Sequence, residues 1–197
     1  MTISLERTDR IEMAEPGELT LDQLFDRLER MPVPEGYKVE IVEGTVFMTP
    51  QRDVHWQTIR RILWALEDHF GRDAKVVSDV RIDFPGKSNG FCPDIAKLSD
   101  GAEKTNGCWR YQDVEFVAEV ISRGTAMNDY GPKETAYAIA DIPVYLIADP
   151  YLGRCRVFTH PQDGAYKRDL TLAYGEPIDL TDTILGMTLS TEDFPRD

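Results

Sequence analysis

Apolar positions recur along this chain with two periods, one helical and one alternating. Thr20–Met31 places Leu21, Leu24, Phe25 and Leu28 at helical spacing behind Thr20, a good capping residue, and Pro32 and Pro34 end the run. Tyr37–Val42 and Thr45–Met48 read as a strand pair meeting across Glu43-Gly44, which suits a tight turn. Asp53–Phe70 is the clearest helix, with Asp53 as its cap, Trp56, Ile59, Leu63, Leu66 and Phe70 as its core stripe, and Gly71 as its stop. Lys75–Phe84 and Phe91–Leu98 read as adjacent strands across Pro85–Gly90. Ser99–Gln112 follows as a polar loop, with Trp109 and Tyr111 as hydrophobic anchors or as stacking groups. Val114–Ser122 has the composition of a strand buried on both faces, Asn128–Asp141 that of a helix capped by Asn128, and Val144–Ala148 that of a second apolar strand. A hairpin of Arg154–His160 and Ala165–Leu170 and an irregular or β-rich ending, Thr171–Phe194, complete the chain.

Two acids interrupt these apolar runs. Glu119 shares a strand face with Val117 and Ile121, and Asp94 shares one with Cys92, Ala96 and Leu98. A carboxylate so placed is poorly solvated and needs a cation or hydrogen-bond donors. Two on neighbouring strands repel each other, and a hard divalent cation between them removes that repulsion; pairing with arginines is the purely structural answer. Asp129, Lys133 and Tyr137, spaced i, i+4, i+8, lie along one side of the following helix, which brings an ammonium within reach of the acids. Glu40, in the first strand of the hairpin, reads on residue physics alone as a solvent-facing position.

Composition sets the outer limits. The chain has 197 residues, 42% of them apolar, which suits one domain over 19–197 behind a polar, aperiodic tail at 1–18. It shows no secretory segment and no run of about 18 apolar residues, so a cytoplasmic protein away from membranes is expected. Cys92, Cys108 and Cys155 are odd in number and scattered, so buried thiols are expected rather than disulfides or a zinc site. The net charge of −13 opposes duplex binding, yet residues 51–90 carry seven basic against six acidic side chains. A nucleic-acid face would therefore draw on Arg52, Arg60, Arg61, Arg72, Lys75, Arg81 and Lys87, although a solvated mixed surface is the plainer reading for most of them.

Taken together, these residues resemble the Uma2-like (DUF820) proteins of the PD-(D/E)xK superfamily. Tyr37–Gly44 looks like the family's opening "yElieG" hairpin. It is followed in order by a helix led by His55, by Pro93-Asp94, by Glu119-Val120-Ile121-Ser122, by the Asp129…Lys133…Tyr137 helix and by Val144–Pro150, similar to "eYWlvDP". The resemblance covers about Tyr37 to Pro150. The superfamily's lysine two residues after the glutamate is here Ile121, a feature the Uma2-like group shares, and Lys133 is the substitute. Leu146 stands for the usual tryptophan, and Asp141-Ile142 for the usual "GV".

The resemblance implies an α/β, restriction-endonuclease-like fold: a central mixed sheet flanked by helices, with an N-terminal helix and hairpin. It implies a metal-dependent endonuclease acting on phosphodiester bonds, most readily in DNA. Asp94, Glu119 and the main-chain carbonyl of Val120 would hold Mg²⁺ or Mn²⁺, Lys133 would orient or deprotonate water or hold a phosphate oxygen, and Glu40 would support the metal. A homodimer is expected where two strands are cut. The alternative is a nuclease-fold protein that has lost hydrolysis and acts as a binding or assembly module, which accounts for the acidity and the missing strand lysine.

Overall fold

The computed structural model describes residues 10–11, 19–32, 36–50 and 52–197. The expected tail over 1–18 falls outside these residues except for the short strand β1 (Arg10–Ile11). The first half continues with α1 (Leu21–Glu29), the hairpin β2 (Tyr37–Val42) and β3 (Thr45–Pro50), α2 (Asp53–Phe70), β4 (Val76–Val77), β5 (Ile82–Phe84), β6 (Asn89–Phe91) and β7 (Ile95–Leu98). The second half runs β8 (Trp109–Arg110), β9 (Val114–Val120), α3 (Ala126–Asn128), a wide π-helical turn (Asp129–Lys133), α4 (Glu134–Ile139) and β10 (Val144–Asp149). It closes with the hairpins β11 (Arg154–Gln162) with β12 (Ala165–Ala173) and β13 (Ile178–Leu180) with β14 (Met187–Leu189).

The strands form two six-stranded sheets, ordered β1-β3-β2-β6-β5-β8 and β12-β11-β10-β9-β7-β4. The chain leaves the first sheet at the end of β6 and joins the second at β7, so Cys92-Pro93-Asp94 is the seam between them. The expected mixed α/β architecture is present, distributed over two sheets. In the second sheet β9 and β10 are parallel, joined by the α3–α4 segment, and the flanking strands are antiparallel.

Alternation along β9 decides which layer meets which. Phe116, Ala118 and Val120 pack with Ile59, Ile62 and Leu66 of α2, while Val117 and Ile121 pack with Ala136 and Tyr137 of α4 and with Tyr145 and Ile147 of β10. Helices therefore cover both faces of this sheet. Leu24 and Leu28 of α1 close the first sheet over Ile41 and Val46. Gly90 admits that helix, since a Cβ there would lie 2.5 Å from a ring carbon of Phe25. Glu43 and Gly44 both take positive φ, as a two-residue hairpin turn of this hand requires.

Several local expectations are corrected. Thr20 caps α1, with Gln23 completing a capping box, but α2 is capped by Arg52, without a side-chain bond, and Asp53 lies inside the helix. The buried stripe of α2 is His55, Thr58, Ile59, Ile62 and Leu66, which keeps the expected Ile59 and Leu66 but replaces Trp56 and Leu63 by His55 and Ile62, so Trp56 is 49% exposed. Asn128 caps nothing: its N–H already bonds Thr125 O at 2.8 Å, so coiling starts before it. The π turn accommodates Pro132, whose missing N–H would break an α-helical ladder. The expected strand over Lys75–Phe84 is split into β4 and β5, and Phe91–Leu98 is divided at the seam. Trp109 and Tyr111 pack on the core as anchors. Cys92 and Cys155 are buried and Cys108 is half-buried. No helix among the described residues is long and apolar enough to cross a membrane.

Ile62→Ala should cost about 2–5 kcal/mol of stability, the usual loss for truncating a buried aliphatic side chain. Trp56→Ala should cost about 1 kcal/mol or less, in keeping with its exposure. Urea denaturation of the two variants measures the contrast, and equal losses would contradict this placement of α2.

Candidate active site

The side chains of the site come from five parts of the chain, and the local structure explains how each arrives. On β2, Lys38 and Glu40 are two residues apart and share a face, which looks toward the seam rather than toward solvent. The solvent-facing reading of Glu40 is thereby corrected, as it is 2% exposed. Asp94 stands at the seam, Glu119 on β9, His55 in the first turn of α2, and Asp129, Lys133 and Tyr137 along one side of the crossover helix. All are buried: Asp94 and Glu119 are each 1% exposed and Lys133 is 0% exposed.

Pro93 shapes the centre. In the register of β7 and β9, Ile95 lies opposite Ala118, and two steps further along the ladder Pro93 falls opposite Val120. Proline has no N–H to offer the Val120 carbonyl. Its own carbonyl is taken by Asp79 N–H at 2.9 Å, and the Val120 N–H donates instead to Asp94 Oδ2 at 2.7 Å. The interrupted ladder thus leaves the Val120 N–H to bind the Asp94 carboxylate.

Both oxygens of each central acid are engaged. Asp94 Oδ2 also pairs with His55 Nε2 at 3.0 Å, while Oδ1 accepts from Lys38 Nζ at 2.5 Å. Glu119 Oε1 accepts from Lys133 Nζ at 3.0 Å and from the Tyr137 hydroxyl at 2.8 Å. Its Oε2 faces the Asp94 N–H at 3.3 Å and Lys38 Nζ at 3.4 Å. Lys133 Nζ reaches Glu40 Oε2 at 2.8 Å and Asp129 Oδ1 at 3.0 Å, so its three donors serve three carboxylates. The Arg pairing considered from sequence is replaced by two lysines. The structure brings Asp94, Glu119, Lys133 and Glu40 into one cluster, with the backbone of Val120 beside them.

The electrostatics follow from burial and neighbours. Burial alone would raise the Asp94 carboxyl, but Lys38 and His55 outweigh it and hold its pKa well below the usual carboxylate range. Burial would lower Lys133, and Asp129, Glu119 and Glu40 reverse that, leaving it above its ordinary value. Four acids here face two lysines and one histidine, and the excess falls on Asp129. Burial pushes its pKa up to about 7, with Glu119 and Glu40 adding to the rise and Lys133 opposing it.

These donors fit a hard divalent cation. Asp94 Oδ1, Glu119 Oε2 and the Val120 carbonyl are oxygen donors of the kind Mg²⁺ and Mn²⁺ prefer, and an ammonium already sits between the two carboxylates. Among the described residues no three His, Cys, Asp or Glu side chains converge as a metal centre, so the main-chain carbonyl and water would complete the coordination.

Lys38 was missed in the sequence, although stepping two residues back from Glu40 would have found it; His55 had a functional reading only through the resemblance, and stepping four residues back from Ile59 along the helix stripe places it inside. The basic stretch is largely committed elsewhere: Arg81 pairs with Asp83 and Asp22, Lys75 donates to two main-chain carbonyls, and Arg60 lies over Trp64. Arg52, Arg72 and Lys87 are exposed.

No protein with a curated description matches the chain. A solved crystal structure from Anabaena variabilis ATCC 29413, described as "a putative nuclease belonging to DUF820", shares the fold with a TM-score of 0.66 at 16% sequence identity, over 89% of this chain and 97% of that one. With the Uma2 family, described as "Putative restriction endonuclease", matched over residues 24–192, the chain belongs to that family.

Proposed function

We propose that this protein is a metal-dependent nuclease that hydrolyses phosphodiester bonds, with DNA as its substrate class. The observation that carries the reading is the convergence of Asp94, from the seam, and Glu119, from β9, on one cation position, with Lys133 bound to the same glutamate. Asp94, Glu119 and the Val120 carbonyl would hold Mg²⁺ or Mn²⁺. When bound, the ion supplies Lewis acidity that acidifies water and offsets charge on the scissile phosphate.

The chain's own residues do the rest. His55 and the Val120 N–H fix the Asp94 carboxylate, and Tyr137 fixes that of Glu119. Lys133, held charged by three acids, acts as a cation that orients water or a phosphate oxygen rather than as a proton acceptor. Glu40 anchors that ammonium and tunes the metal from beside it. A cavity of about 220 Å³, lined by Arg52, His55, Ser122 and Tyr151 among others, lies where β9 and β10 end and offers an approach for the backbone. A cytoplasmic homodimer would present two such sites to a duplex.

One observation favours a second reading, a non-catalytic binding module: the chain's own lysines neutralise the acids without any metal. The two readings diverge in calorimetry with Mg²⁺ or Mn²⁺. A nuclease binds the ion and loses binding in Asp94→Asn, whereas a module shows no difference between the two proteins.

Asp94→Ala and Glu119→Ala should each abolish metal-dependent cleavage of DNA by rigorously purified protein, with native circular dichroism retained. Cleavage that survives both changes would refute the assignment. Lys133→Met removes the cation shared by Glu40, Glu119 and Asp129 and should destabilise the fold by about 3–5 kcal/mol, measured by urea denaturation. A loss below about 1 kcal/mol would show that Lys133 does not hold the cluster together. Pro93→Ala returns an N–H opposite the Val120 carbonyl and should weaken Mn²⁺ binding in a folded protein; unchanged affinity would remove that carbonyl from the ligand set.

A further inference from the structure

The two lysines of the cluster are not equivalent. Lys133 is 0% exposed and binds the outer oxygens: Glu40 Oε2, Glu119 Oε1 and Asp129 Oδ1. Lys38, at 8%, is the most exposed of Lys38, Glu40, Asp94, Glu119 and Lys133, and its ammonium spans Asp94 Oδ1 and Glu119 Oε2. The other two oxygens of these acids are occupied by Val120 N–H, His55, Lys133 and Tyr137. The pair of oxygens available to a shared ion is therefore the pair that Lys38 holds.

We propose that Lys38 is an intramolecular cation that occupies the divalent-metal position and must withdraw before a metal ion can bind, so that this one side chain sets the metal affinity of the site. The inference rests on the metal-binding reading given above. It follows from competition: one position between two carboxylates cannot hold an ammonium and a divalent ion together, and the ammonium is attached to the fold at high effective concentration. Of the two lysines it is the less deeply enclosed, 8% exposed against 0% for Lys133. Lys38 is thus a positioning residue for the metal, and in the metal-free protein it answers the buried charges of Asp94 and Glu119.

The test is calorimetric titration of Mn²⁺ into wild type, Lys38→Met and Lys38→Arg, with thermal melts of each in EDTA and in Mn²⁺. Lys38→Met should bind Mn²⁺ about tenfold more tightly or better, the scale of a displaced charge-assisted hydrogen bond, while Lys38→Arg, which keeps the cation, should not. In EDTA Lys38→Met should melt below wild type, and Mn²⁺ should raise its melting temperature by more than it raises that of wild type. Should Lys38→Met fail to fold without metal, Lys38→Gln, which keeps a hydrogen-bond donor for Asp94, carries the same expectation. Binding by the neutral variant alone, with none by wild type, supports the proposal in its strongest form. Equal or weaker Mn²⁺ affinity in the neutral variant, with wild type still binding, overturns it and leaves the nuclease reading standing. Absence of binding in both overturns the two together.

Discussion

Carboxylates removed from water must be answered by cations, and the centre of this protein is arranged around that requirement. Glu40, Asp94, Glu119 and Asp129 are all buried, and an unpaired buried charge costs several kcal/mol. The answering groups come from three places in the chain: Lys38 on β2, His55 on α2 and Lys133 on the crossover helix. Lys38 and Lys133 each bridge acids contributed by different elements, so the cluster also ties the hairpin sheet to the mixed sheet and its helix. Removing either lysine leaves a neighbour unsatisfied, whereas removing one acid of Lys133's three leaves it two.

Why the acids meet at all is a matter of backbone chemistry at Pro93. Because proline offers no N–H, the ladder stops at the seam, Asp79 takes the Pro93 carbonyl and Asp94 takes the Val120 amide. The broken pairing is not a loss of order, since those main-chain donors are satisfied by specific partners.

The sequence shows the framework of this site better than its wiring. Alternation placed Glu119 with Val117 and Ile121 on the face that α4 covers, and helical spacing aligned Asp129, Lys133 and Tyr137, because both depend only on local geometry. Glu40 was visible only through resemblance: a glutamate on a hairpin strand is exposed unless another sheet covers it, and that is a tertiary fact. Lys38 escaped for the same reason, since a lysine two residues from a supposedly exposed glutamate looks solvated. The caps at Asp53 and Asn128 failed by a residue or more, because capping types are also common just inside a helix, where Asp53 bonds Gln57. Trp56 was assigned to the core by its spacing from Ile59, although burial in α2 follows the phase set by Ile59, Ile62 and Leu66, which puts His55 inside.

Net charge of −13 argued from the start against contact with phosphates, and the structure sharpens that objection: Lys38, Lys97 and Lys133 are buried, so part of an already small positive complement never faces solvent. The same fact suggests where phosphate recognition would have to come from. With Arg81 and Lys75 committed to intramolecular partners, Arg52, Arg72 and Lys87 are the exposed basic residues left in that stretch, a thin complement for nucleic-acid binding. On the nuclease reading, the compensating charge is a divalent ion held by Asp94 and Glu119, and displacing Lys38 to admit it would add a second positive group at the mouth of the site. Acidity of the chain and action on a polyanion then cease to conflict, because attraction is concentrated at one point rather than spread over a face.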